Sequence, residues 1–139
     1  MNNDVGKKNI LFGLVYFLTT LGLGMFLANK GQAGDPEWSQ STAKHLLAMA
    51  HSHGNLEALL NIIFGALICR IADPQSTLTK AASILLIVGA AFHSGTLYLA
   101  GAGLDFAMNF TLLGAVSTVL GVAAMVPIVS RGIGNNESS

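Results

Sequence analysis

The side chains able to do chemistry crowd into two apolar stretches. Residues 50–61 read AHSHGNLEALLN, placing His51, His53, Asn55, Glu57 and Asn61 within three helical turns, and residues 93–98 add His93, Ser94, Thr96 and Tyr98. Imidazole ligates haem iron or a divalent cation, a carboxylate serves as general acid or base, and a phenol orients a substrate oxygen. At about 100° per residue, His53, Glu57 and Asn61 (i, i+4, i+8) share one stripe, while His51 points about 200° from His53 and aligns with Asn55. One helix therefore cannot aim both histidines at the same metal. Zinc wants three or four converging ligands, available only if His93 and Glu57 join one of these histidines. Haem needs a single axial histidine and is the prosthetic group best suited to an apolar chain. Hydrogen bonding inside a bundle is the plainer alternative, with Glu57 pairing to His53 one turn earlier. Candidate cofactor-binding residues are thus His51, His53, Asn55 and His93, and the candidate catalytic groups are Tyr98 and Glu57.

The elements that must position these groups follow from composition. Of 139 residues, 52% are apolar and 10% charged, against about a quarter charged in soluble domains. Such a chain lacks the polar surface for a water-facing globule. A single cysteine excludes a disulfide framework and a cysteine-ligated metal, and a net charge of zero offers no footprint for nucleic acid. The uncharged run over residues 10–28 has the length of a membrane span and exceeds the apolar core of a signal peptide. Further spans are expected over residues 45–70, 78–100 and 106–129. The fold class is then all-α integral membrane, one domain formed by a four-helix transmembrane bundle. Asp35-Pro36 predicts a helix start, with Trp38 and His45 at the interface; Asp73-Pro74 predicts a turn, Ser76 or Thr77 the next cap, residues 101–103 a break, and Asp105 the last cap. Lys7, Lys8, Arg70, Lys80 and Arg131 fall on one side and Lys30 and Lys44 on the other, a bias that predicts cytoplasmic termini. Gly114, Ser117 and Gly121 form a small-residue stripe, and Ala91 with Gly95 a small pair, both suited to close helix packing. Cys69 is expected to be a buried small apolar residue, and Pro127 to bend or end its helix.

Several motifs carry a family likeness. The four-span layout, Ala50-His51-Ser52 opening a polar second helix, Tyr98-Leu99 closing the third, and Gly103-Leu104-Asp105-Phe106 before the fourth resemble styrene oxide isomerase. The likeness runs in short patches from Lys8 to about Val129. It implies a homotrimer in the bacterial inner membrane with haem b between subunits, His51 as the axial ligand of ferric iron, and Tyr98 orienting a small apolar substrate. The implied reaction opens an epoxide by Lewis-acid polarisation and rearranges it to an aldehyde. Glu57 stands where the family has an asparagine, and His53 and His93 have no counterpart in it. The same histidines leave open a haem protein for electron transfer or sensing, in which His53 or His93 completes bis-histidine ligation. The second helix also resembles that of hydroxylaminobenzene mutase, less closely.

Overall fold

The structure is a computed structural model describing the backbone of residues 4–136 and the side chains of residues 4–133. Four helical segments are long and apolar enough to cross a membrane: Asp4–Gln32, Thr42–Ile71, Thr77–Gly101 and Asp105–Ile133. No strand occurs among the described residues.

Helix α1 (Asp4–Gln32) outgrows the apolar run at both ends. Asp4 in its first turn and Lys30 in its last each sit where the helix dipole favours their charge. Asp35 caps the short α2 (Pro36–Gln40) through the amides of Glu37 and Trp38, with proline at the first position as expected. Trp38 meets Phe26 edge-on at 5.9 Å, and the Lys30 ammonium stands 5.8 Å from its ring. Ser41 then caps α3 (Thr42–Ile71), which begins three residues before the expected start.

The third segment is not one helix. It divides at His93 (φ −95°, ψ −80°) into α4 (Thr77–Phe92) and α5 (Ser94–Gly101), where residues 78–100 were expected to run unbroken. The break coincides with a close approach by the neighbouring helix. A Cβ on Gly114 of α6 (Thr111–Asn136) would overlap the backbone of Phe92 and His93, so the chains touch main chain to main chain there. Hydroxyls satisfy the carbonyls at the break: Ala90 O accepts from Tyr16 at 3.2 Å and from Ser94 at 3.3 Å, and Thr96 bonds Phe92 O at 2.8 Å.

Gly103 (φ 103°) makes the turn that residues 101–103 predicted, but Asp105 does not cap a helix. Residues Asp105–Phe110 form a 3-10 turn capped at Leu104 without a side-chain bond. The helix α6 that follows continues past Pro127 to Asn136 rather than ending near residue 129.

Two close pairs build the bundle. Gly6 and Gly13 bring α1 against α3, whose Gly65, Ala58 and Ile62 would be struck by a Cβ at those positions. Gly89, Gly114 and Gly121 bring α4 against α6, so the predicted stripe packs the bundle. Ile68, Ala82, Leu86, Met125 and Ile128 fill the core at one end, and Leu23, Leu47, Ala50 and Leu97 fill it at the other. Ala91 is exposed and does not join such a contact, and Cys69 is exposed rather than buried, beside Gly6.

Candidate functional site

Three polar groupings among the described residues hold the candidate side chains or their neighbours, and they do different work. The first joins Asn9, Asn61 and Ser83, which are 0%, 1% and 4% exposed. The Asn9 amide donates to Asn61 Oδ1 at 2.8 Å and Ser83 O at 3.1 Å, and Ser83 Oγ donates to Asn9 Oδ1. Asn61 in turn donates to Glu57 O at 3.0 Å and Leu86 O at 3.1 Å. Every polar atom is matched, so this clasp ties α1, α3 and α4 together and has no free valence for chemistry.

The second grouping surrounds His51. Its Nδ1 lies 2.8 Å from Thr20 O on α1, and a carbonyl can only accept, so Nδ1 carries the proton. The Asn55 amide nitrogen is 3.5 Å from Nδ1 and 3.4 Å from Nε2. Near-equal distances leave that amide shared between the two ring nitrogens and long to each. Asn55 Oδ1 is itself held by Thr20 Oγ1 at 2.6 Å. The ring lies on Gly24, where an added Cβ would stand 2.5 Å from Cε1. An imidazole anchored through Nδ1–H, whose Nε2 meets only the long contact from the Asn55 amide, is the arrangement an axial or metal ligand needs once that contact yields. By helical register exposed Leu21 and Leu59 share this flank, which suits an apolar macrocycle.

The third grouping surrounds Glu57, which is 4% exposed. His93 Nδ1 stands 2.7 Å from Oε1, Ser94 Oγ donates to Oε2, and Thr118 Oγ1 approaches Oε1 at 3.5 Å. The expected partner of Glu57 was His53. Instead the carboxylate reaches across to the break at His93, and the His53 ring rests 4.8 Å from the His93 ring. His53 and Glu57 thus face the break between α4 and α5, Asn61 meets both α1 and α4, and His51 and Asn55 face α1, so His53 and Glu57 are separated from His51 as their spacing predicted. His53, Glu57 and His93 do come together, yet no group of three or more His, Cys, Asp or Glu among the described residues is placed to hold a metal.

Tyr98, 44% exposed, lies elsewhere again. It lines both lobes of a groove between α1 and α5. The outer lobe, about 540 Å³, is walled by Gly22, Phe26, Trp38 and Leu47; the inner, about 300 Å³, by Tyr16, Ala50, Ser94 and Gly95. Gly22 in this wall and Gly24 under His51 are two residues apart, so they point about 200° apart around α1. His51 and Tyr98 therefore serve opposite flanks of the same helix. Within one chain neither His53 nor His93 shares a site with His51.

Sequence reasoning assigned no role to Tyr16, Thr20 or Thr118. Tyr16 carried a usable signal, because a phenol in the middle of an apolar run is far from the interface where tyrosines usually anchor. Thr20 and Thr118 carried none, since threonine is common in apolar helices. Comparison with protein-family models, curated proteins and solved structures finds no match to this chain.

Proposed function

We propose that the protein is an integral-membrane isomerase that holds haem b through His51 and converts a small apolar epoxide of the styrene oxide kind to an aldehyde. The observation that carries this reading is the state of His51: Nδ1–H anchored on Thr20 O, Nε2 met only by the Asn55 amide at 3.4 Å, the ring seated on Gly24. Ferric haem, when bound, supplies a Lewis acid toward the epoxide oxygen. The chain's own residues do the rest. Thr20 and Asn55 fix the imidazole, the apolar walls of the groove take up the substrate and keep water from its product, and the Tyr98 hydroxyl orients the substrate oxygen.

The opposed positions of His51 and Tyr98 bear on assembly. A ligand histidine on one flank of α1 and a substrate groove on the other are brought to one site when copies of the chain pack side by side, which supports haem held between subunits of a homotrimer. The four apolar helices support a bilayer location, and the lysine and arginine bias supports cytoplasmic termini in the bacterial inner membrane. Bis-histidine ligation would also have to form between copies, because His53 and His93 face away from His51.

The test is conversion of styrene oxide by haem-loaded protein, read as phenylacetaldehyde by gas chromatography. Aldehyde formation that persists in Gly31→Ala, where an added Cβ meets nothing within 4 Å, and is lost in Tyr98→Phe is expected. No aldehyde from protein that retains haem would overturn the isomerase reading.

A further inference from the structure

A buried carboxylate in an apolar span is costly, and such groups tend to mark a route for protons or ions. Glu57 has a continuous connection to the groove. Tyr16 and Ser94 both line the inner lobe, and the Tyr16 hydroxyl lies 3.5 Å from the place of a Cβ on Gly95, a third lining residue. That hydroxyl is 2.7 Å from Ser94 Oγ, Ser94 donates to Glu57 Oε2, and Oε1 meets His93 Nδ1 at 2.7 Å. No step in this chain is longer than a hydrogen bond.

The chain can run in either direction. With the carboxylate ionised, Tyr16 donates to Ser94 and Ser94 to Glu57, so the phenol oxygen presents its lone pairs to the groove. With the carboxyl protonated, Glu57 donates to Ser94 and Ser94 to Tyr16, whose hydrogen then turns to a molecule in the groove or to Ala90 O at 3.2 Å. Ala90 O is thus a resting acceptor for whichever hydroxyl is idle, and Ser94 also reaches it at 3.3 Å.

We propose that Tyr16, Ser94 and Glu57 form a proton relay between the groove and the buried Glu57–His93 pair, serving a small apolar ligand that bears one weakly acidic or basic oxygen. In the uptake direction the ligand's O–H bond breaks and its proton bonds Tyr16 Oη. Tyr16 passes its own proton to Ser94, Ser94 passes its own to Glu57 Oε2, and no electrons change hands. The relay stands whether or not haem binds at His51.

Deuterium oxide is the probe. The carboxyl C=O stretch that disappears in Glu57→Gln identifies the group in infrared spectra of the detergent-solubilised full chain, in buffer acid enough to protonate it. Its downshift after rapid mixing with deuterium oxide reports exchange. The relay predicts that Ser94→Ala and Tyr16→Phe, both with wild-type helical circular dichroism, slow exchange by about tenfold or more, as a broken proton-transfer chain does. Exchange that is unchanged or faster in both variants would overturn the relay, because hydroxyls that only pack would open the site when removed. Slowing by His93→Ala alone would overturn it too, by placing the entry on the other side, as would the absence of any Glu57 carboxyl band.

Discussion

Adding one methyl group at Gly24 should release His51. A Cβ there would stand 2.5 Å from His51 Cε1, whereas ordinary contact begins at 3.4 Å, so the ring must retreat by roughly 1 Å. The bond from Nδ1 to Thr20 O is 2.8 Å, and retreat along that line stretches it to about 3.7 Å, past the limit of a useful hydrogen bond. Losing the partner that orients a ligating histidine costs about 10–100-fold in affinity for the metal group. Gly22→Ala is the matched control: it lies on the same helix, gains the same helix propensity, and its Cβ meets nothing within 4 Å. The assay is titration of apo-protein with haemin, followed by the Soret band, in both variants and the wild type. Gly24→Ala should weaken binding by about 10–100-fold while Gly22→Ala matches the wild type. Equal affinities in the two variants would refute the role assigned to the Gly24 seat and the Thr20 anchor.

Three other outcomes follow from the same geometry. His51→Ala should abolish haem retention during purification while His53→Ala retains it; the reverse pattern would move the ligand to the His93 side. Asn9→Ala removes both bonds from its amide and the one it accepts from Ser83, so it should destabilise the bundle by about 2–4 kcal/mol, taking roughly 0.6 kcal/mol per membrane hydrogen bond plus the cavity left behind. Unfolding in sodium dodecyl sulfate measures this, and a change below about 0.5 kcal/mol would contradict a satisfied clasp at this site. Gly114→Ala should lower stability in that assay by about 1–3 kcal/mol despite alanine's better helix propensity, because backbone at Phe92 and His93 has no room to yield. A more stable variant would show that the contact gives way.

Periodicity made most of the architecture readable. The apolar runs located all four spans, Asp35-Pro36 located a capped start, and the i, i+4 spacing sorted His53 and Glu57 from His51 and Asn55 correctly, because side-chain direction on a helix depends only on position. What failed depended on a second helix. The break at His93 arises where Gly114 meets it, and the partner of Glu57 is set by that break rather than by His53 one turn away. Asp105 had the residue type of a cap, but the chain needed a 3-10 turn there to join Gly103 to α6. Cys69 is exposed against expectation because residue type says how readily a thiol is buried and not which face of α3 it occupies. The candidate site was legible as a set of residues and not as a set of neighbours. His51, Glu57 with His93, and Tyr98 stand at three places, and the link from Glu57 to the groove runs through Tyr16 and Ser94.

The most direct test of the central claim is the absorption spectrum of detergent-purified protein made with ample haem, as isolated, after reduction with dithionite, and after adding styrene oxide or a small amine. An open iron held by His51 predicts a Soret band that shifts when either molecule is added and is missing in His51→Ala. A Soret band that ignores added ligands, or no Soret band at all, would contradict the account.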